Sequence, residues 1–370
     1  MHIDYIKLIN FRNYGMLDME FSKNFNILYG DNAQGKTNIL ESIFICASGR
    51  SHRTSRDMEL IKMGEDSYYI RLDVEKESGK KEIEVSYKQE EKKRVRINGV
   101  QEPKIGSLMG NLNTVMFSPE DLMIIKQGPS ERRRFIDITI SQLRPSYFFD
   151  LQQYNKVLVQ RNTLLKSMQN NRRLVDTLDV WNRNLAGVGA RIVKVRNEFI
   201  EKLSEYSEKS HRKLTNGEEK LTIKYSPSIK ADSLNDVQNV EESFIKLMEI
   251  SVKKEMEKCT TLYGPQRDDY DICLDGLSLK MFGSQGQQRT AVLSVKLAEI
   301  EIMKEDTGEA PVLLLDDVMS ELDQNRQEYL INNLKSVQTF ITCTDKDFFS
   351  KKSGKELSFY HVVSGCVLKE

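Results

Sequence analysis

The chain has 370 residues, too many for one ordinary domain, so two domains or one domain with a large insertion is the expectation. Hydrophobic residues at 39% and charged residues at 30% fit a soluble globular protein, and 20 glycines with 7 prolines leave little room for long linkers. Lys+Arg and Asp+Glu both number 55, so the overall balance excludes a strongly basic chain, and any nucleic-acid surface must come from local sorting of charge.

Five scattered cysteines, never spaced as CxxC, argue against a disulfide framework and against a zinc site. The opening MHIDYIKLIN has no apolar core behind a basic leader. No run approaches the roughly 18 consecutive apolar residues of a membrane helix, so a cytoplasmic protein without a membrane partner is expected.

Strand patterning from Ile3 to Phe11 leads to FNILYG (Phe25 to Gly30), an apolar run ending in glycine. TNILESIFICASG (Thr37 to Gly49) reads as a buried helix closed by glycine. From Tyr68 to Val100 residues alternate as strands do, with turns at Ser78-Gly79 and Asn98-Gly99. Near Pro119 the pattern changes to long helices that run to about Thr215. Tyr147, Leu151, Tyr154, Leu158, Leu165 and Met168 share one helical face. Leu174, Leu178, Trp181, Leu185, Val188, Ile192, Val195 and Phe199 follow in alternating steps of four and three. Such a heptad seam needs a partner helix, and the polar QNNRR (Gln169 to Arg173) between the two faces predicts a helical hairpin. A short strand, LTIKYSPSI, and a helix to about Lys258 come next. The end returns to α/β character: a strand and turn from Asp271 to Gly276, a helix from Gln285 to about Lys304, the strand APVLLLDD, a further helix and the strand TFITCTD. The expectation is an α/β head at 1–115 and 259–370, split by a helical insertion at 116–258.

GDNAQGKT fits G-x-x-x-x-G-K-[ST], a loop that cradles phosphate. Gly30 and Gly35 permit backbone conformations that turn the N–H groups of Asp31, Asn32, Ala33 and Gln34 inward, and the following helix aims its positive end at the same anion. Lys36 would reach the β/γ-phosphates of ATP, and the Thr37 hydroxyl would ligate Mg²⁺. VLLLDD ends an apolar strand in two acids. Asp316 would hold Mg²⁺ beside the loop, and Asp317 would orient or deprotonate the attacking water. FGSQGQQRT places Ser284, Gln285, Gly286 and Gln287 at a helix start, a second anion-binding end.

GDNAQGKT, SQGQ and LLLDDVMSELD, with Ser320 and Asp323 in its tail, stand in the order of the Walker A, signature, Walker B and D-loop segments of ABC-type ATPases. Within that class the chain resembles the RecF family. FRNY, SHRTSRDMELI, FSPEDL, PSERRRFID, YNKVLVQRNTLLK, GPQRDD and GSQGQQRT carry the resemblance over nearly the whole length. The interval from Lys36 to Ser284 is longer than transporter ATPases interpose and far shorter than the coiled coils of SMC and Rad50 relatives.

The resemblance implies an ABC-type head lobe split by an arm-like helical lobe. It also implies a homodimer formed with ATP, binding to gapped DNA and single-/double-strand junctions, and cooperation with RecR and RecO. Nucleotide would lie between the phosphate loop of one copy and Ser284 and Gly286 of the other, so loss of the γ-phosphate would release the pair. Asp317 stands where transporters carry glutamate, and Thr344 or Asp345 stands near their switch histidine, so slow turnover is expected. Arg50, His52, Arg53 and Arg56, then Lys92, Lys93, Arg94 and Arg96, then Arg132, Arg133 and Arg134 form basic clusters suited to DNA phosphates or to an ordinary solvated surface. Arg56 and Gln34 are alternatively nucleotide contacts, Arg12 an adenine contact or plain surface residue, and Arg267 an anchor between lobes. A transporter-type ATPase subunit and a structural head that binds ATP without hydrolysing it are the competing readings.

Overall fold

The computed structural model describes residues 1–169, 172–334, 337–346, 349 and 357–370. Strand β1 (His2–Phe11) turns back as β2 (Tyr14–Glu20), and the apolar β3 (Phe25–Tyr29) runs into the glycine-rich loop. Helix α1 (Lys36–Ser48) follows and ends at Gly49, where a φ of 72° lets the backbone N–H cap the helix through Ile45 O. Then come β4 (Ser67–Lys76), β5 (Gly79–Lys88), β6 (Arg94–Ile97) and β7 (Val100–Glu102). Asn98 and Gly99 both take positive φ, which the two-residue turn between β6 and β7 requires. After the buried β8 (Thr114–Phe117) the chain turns helical: α2 (Met123–Lys126), α3 (Pro129–Leu143), α4 (Pro145–Met168) and α5 (Leu178–Leu214). Proline opens both α3 and α4, where its missing N–H costs no bond. Next are β9 (Leu221–Ser226), α6 (Val237–Lys258), β10 (Asp269–Leu274), β11 (Leu277–Ser278), α7 (Leu279–Phe282) and α8 (Gln285–Thr307). The chain continues through β12 (Val312–Asp316), α9 (Gln324–Asn333), β13 (Thr339–Cys343), β14 (Leu357–Val363) and β15 (Cys366–Lys369).

Two compact units result. Unit one comprises Met1–Asp121 and Glu299–Glu370. It holds an antiparallel sheet in the order β2-β1-β4-β5-β6-β7 and a second sheet, β15-β14-β3-β13-β12-β8, parallel except for β15. Helix α1 touches β4 and β5 of the first sheet and β8, β12 and β13 of the second. That position explains why Ile39 to Ala47 is buried without a polar face. The unbroken apolar runs of β8 and β12 fit strands covered on both sides.

Unit two, Leu122–Ala298, contains α2 to α7, the first part of α8 and the antiparallel sheet β11-β10-β9. It extends beyond the 116–258 insertion expected from sequence, because β9 pairs with β10 along its whole length, from Leu221↔Leu274 to Ser226↔Asp269. Helix α5 packs on α4, α6 and β9. Leu178, Leu185, Val188, Ile192 and Phe199 of the seam are buried, while Trp181 and Val195 are half-buried. Asn170, Asn171 and the Leu174 side chain lie outside the described residues. Arg161 of α4 is fully buried, donating to Glu255 Oε2 at 2.6 Å, Asn182 Oδ1 at 2.8 Å and Thr261 Oγ1 at 2.7 Å. In GPQRDD the buried acid makes its contacts within unit two. Asp268 is buried and accepts from Ser228 N and Tyr225 Oη, whereas Arg267 is exposed.

Candidate nucleotide site

The carboxyl ends of β3, β13 and β12 lie side by side in the parallel sheet, with Leu28 opposite Thr342 and Thr342 opposite Asp316. Ligands of open parallel sheets bind at such ends. The loop after β3 takes positive φ at Gly30, Ala33 and Gly35 (143°, 64° and 114°). A Cβ on Gly35 would fall within 2.9 Å of Tyr14 Oη and closer still to the Asn13 amide, so only glycine fits. Asn13 Nδ2 donates to Gln34 O, and the turn after β14 braces the same place: Ser364 N donates to Gln34 Oε1 at 2.6 Å, Gly365 N to Gln34 O at 3.2 Å. Gln34 is thus part of the loop's scaffold.

Lys36 is buried at the start of α1, its Nζ donating to Gly30 O at 2.6 Å and Asp31 O at 2.7 Å. Burial pushes its ammonium below the usual lysine range, against the pull of Asp317 and Asp316 among others. Thr37 Oγ1 donates to Asp316 Oδ1 at 2.7 Å. This contact joins the phosphate loop to the carboxylate strand. A hydroxyl and a carboxylate at one point are the hard oxygen donors that suit Mg²⁺.

Thr342 is the residue that sequence reading missed. It is buried at the end of β13, donates to Asp316 Oδ1 at 2.7 Å and accepts from Asp317 N at 2.9 Å. One hydroxyl therefore holds both acids. Asp317 sits in the left-handed region at φ 53°, and Ser320 Oγ donates to its carbonyl at 2.7 Å. Asp323 caps α9, its Oδ1 accepting from Arg326 N at 3.0 Å.

Glu41 is a second residue without a sequence signal. It is a fully buried carboxylate on α1 that binds the Arg12 guanidinium at two points, 2.9 and 2.7 Å, and accepts from Ser51 Oγ. Burial alone would raise its pKa, but the hydrogen bonds from Arg12 and Ser51 and the charge of Arg53 hold it below the usual carboxylate range. Arg12 also donates to Glu59 O, and Arg53 to Asn38 Oδ1. Arg12, Arg53 and Met63, with the loop, Asp316 and Asp317, line a cleft of about 550 Å³.

In unit two, Ser284 and Gln287 form a capping box. Gln287 N donates to Ser284 Oγ at 3.2 Å, and Ser284 N donates to Gln287 Oε1 at 2.9 Å. Ser284, Gln285 and Gly286 are exposed, so the N-terminal end of α8 faces solvent.

The basic clusters correct one expectation. Arg132 is buried, spending its charge on both Asp269 oxygens at 2.6 and 2.8 Å, and Arg133 donates to Asp268 O at 2.7 Å. These residues tie α3 to the start of β10 and do not form an open patch. Arg134 is half-exposed beside Glu131. Lys93 is likewise committed, to Asp57 and to Gly49 O at the end of α1. Arg56 is 78% exposed, and Arg50, Arg53, Lys92, Arg94 and Arg96 are also on the surface.

The family described as RecF/RecN/SMC N terminal domain matches residues 2–366. A curated "DNA replication and repair protein RecF" from Acetivibrio thermocellus is 56% identical over 365 residues, 99% of each chain. The chain belongs to the RecF family. A solved structure titled "Structure of the recombination mediator protein RecF-ATP in RecFOR pathway" matches this RecF-family chain with TM-score 0.94 and 40% identity, covering 100% of this chain and 97% of the other. An Smc head bound to the C-winged helix domain of ScpA, 15% identical with TM-score 0.55 over 100% of this chain and 98% of its own, shows a shared fold only. RecF-family membership and these neighbours establish the ABC-type head. No helix among the described residues is long and apolar enough to cross a membrane.

Proposed function

We propose that this chain is an ATP-driven DNA clamp that acts as a recombination mediator in DNA repair and replication. The observation that carries the reading is the 2.7 Å contact between Thr37 Oγ1 and Asp316 Oδ1, which brings loop and acids to one point. The solved RecF–ATP relative supports ATP as the ligand.

ATP binds with its phosphates against the N–H groups of Gly30 to Thr37 and the positive end of α1. Lys36 then exchanges its two loop carbonyls for phosphate oxygens. Thr37 and Asp316 hold Mg²⁺, which when bound neutralises charge on the phosphate oxygens. Asp317 orients the water and accepts its proton, with Thr342 fixing the acid's backbone. Ser284 and the free N–H groups at the start of α8 in a second copy meet the γ-phosphate, so ATP bridges two chains and ADP does not. DNA phosphates meet exposed arginines such as Arg56, with RecR- and RecO-type proteins as partners in loading recombinase at gaps.

Asp317→Asn tests the cycle. The variant binds ATP and associates as the wild type does, but its turnover stalls and the ATP dimer outlives the wild-type dimer. A wild-type hydrolysis rate in Asp317→Asn removes Asp317 from the chemistry.

A further inference from the structure

The capping box at the start of α8 does not stand alone. Gln287 closes it with its carbonyl oxygen, and the other end of the same amide donates from Nε2 to Glu219 Oε1 at 2.8 Å. Glu219 lies in the turn between α5 and β9, where Asn216 and Gly217 take positive φ and Gly217 N donates to Arg212 O. Its second oxygen meets Nε2 of His211 at 3.1 Å, and His211, fully buried in the last turn of α5, meets Ser294 Oγ through Nδ1 at 3.0 Å. Ser294 Oγ donates to Thr290 O at 2.8 Å, and Thr290 Oγ1 to Gly286 O at 2.8 Å. The path leaves the first turn of α8 at Gln287, passes through the end of the long helix α5, and re-enters α8 two turns later.

The Ser294 hydroxyl, within reach of both Thr290 O and His211 Nδ1, meets the ring through one shared hydrogen in either tautomer. Glu219 already accepts from Gln287, and a further proton lies between its other oxygen and His211 Nε2. Charge-assisted bonds of this kind are stronger and more directional than neutral ones.

We propose that Glu219 and His211 are positioning residues for the signature: they lock the Gln287 amide, which in turn holds Ser284 and the first free N–H groups of α8 in place for a triphosphate on a second copy. The inference rests on the dimer reading given above. It assigns a task to the end of α5, since any shift of that helix moves Glu219 and opens the capping box.

The test compares wild type, Glu219→Ala, Glu219→Gln and Ser294→Ala as full chains, with folding checked by circular dichroism. Nucleotide affinity is measured with a fluorescent ATP analogue at protein concentrations too dilute for association, and ATP–Mg²⁺-dependent association by light scattering. Glu219→Ala keeps its nucleotide affinity, because the phosphate loop belongs to the other unit. Its association weakens by about tenfold per composite site, and so by about a hundredfold for a symmetric dimer with two sites. Glu219→Gln stays close to wild type, since its amide accepts from Gln287 and donates to a neutral His211. Ser294→Ala weakens association in the same direction by less, and it reads the path even if Glu219→Ala does not fold. Wild-type association in both Glu219→Ala and Ser294→Ala overturns the proposal, as does a parallel loss of nucleotide affinity. A wild-type protein that stays single with ATP overturns the dimer reading, and this proposal with it.

Discussion

Thr342→Val isolates the contribution of one hydroxyl. Valine keeps the shape of threonine and fits the buried strand, so packing is preserved while two bonds disappear: the 2.7 Å bond to Asp316 Oδ1 and the 2.9 Å bond from Asp317 N. A hydrogen bond to a charged group contributes about 1.5–3 kcal/mol and a neutral one about 1 kcal/mol, so a loss of about 3 kcal/mol is expected. For a unit of this size that lowers the melting temperature by roughly 6–12 °C. Asp316 keeps its Thr37 partner, so ATP binding survives, but Asp317 loses the anchor that fixes its backbone. A displacement of about 1 Å at a reacting group costs about a hundredfold in turnover. Thermal unfolding and a phosphate-release assay measure both effects, with Thr342→Ser as the variant that restores them. If Thr342→Val melts and turns over like the wild type, Thr342 does not hold the two acids.

Arg161→Met leaves Glu255 buried without its cation and costs about 3–5 kcal/mol in urea unfolding. Adding Glu255→Leu to it recovers part of the loss, and a single variant as stable as wild type contradicts the buried pair. Glu41, held below its ordinary value of about 4.5, contributes stability that is complete above that value and disappears as pH falls through its lower folded value. Melting temperatures of wild type and Glu41→Gln therefore converge in acid and separate near neutrality; a constant gap refutes the shift. Arg56→Ala lowers the salt dependence of duplex binding by about one counterion, whereas Arg132→Ala destabilises the fold and leaves that slope unchanged. Salt titrations that rank the two the other way place DNA on α3.

Local chemistry made much of this molecule readable in advance. The glycine spacing of the phosphate loop, the apolar runs of β3 and β12, the Asn98-Gly99 turn and the seam on α5 each reflect a rule that acts over a few residues. Three features escaped because their causes are non-local. The second unit runs past the expected boundary at 258 because β10 pairs with β9 across the whole of α6. Thr342 holds Asp316 only through the register of two parallel strands, and a threonine in an apolar strand carries no mark of that task. Glu41 is a lone acid inside an apolar helix, and its partners Arg12 and Ser51 come from segments on either side of it. Arg132 to Arg134 show the converse. A run of charge in the sequence reads as surface, yet Asp269, far along the chain, withdraws Arg132 from solvent.

Complementation between two silent variants tests the composite pocket most directly. Lys36→Ala removes the loop lysine and keeps the signature, whereas Ser284→Arg blocks the signature and keeps the loop. With ATP–Mg²⁺ neither variant alone scatters light as a dimer, but a mixed pair rebuilds one intact site from the loop of one chain and the signature of the other, so the equimolar mixture associates. A mixture that stays as single as its two components contradicts a pocket shared between copies.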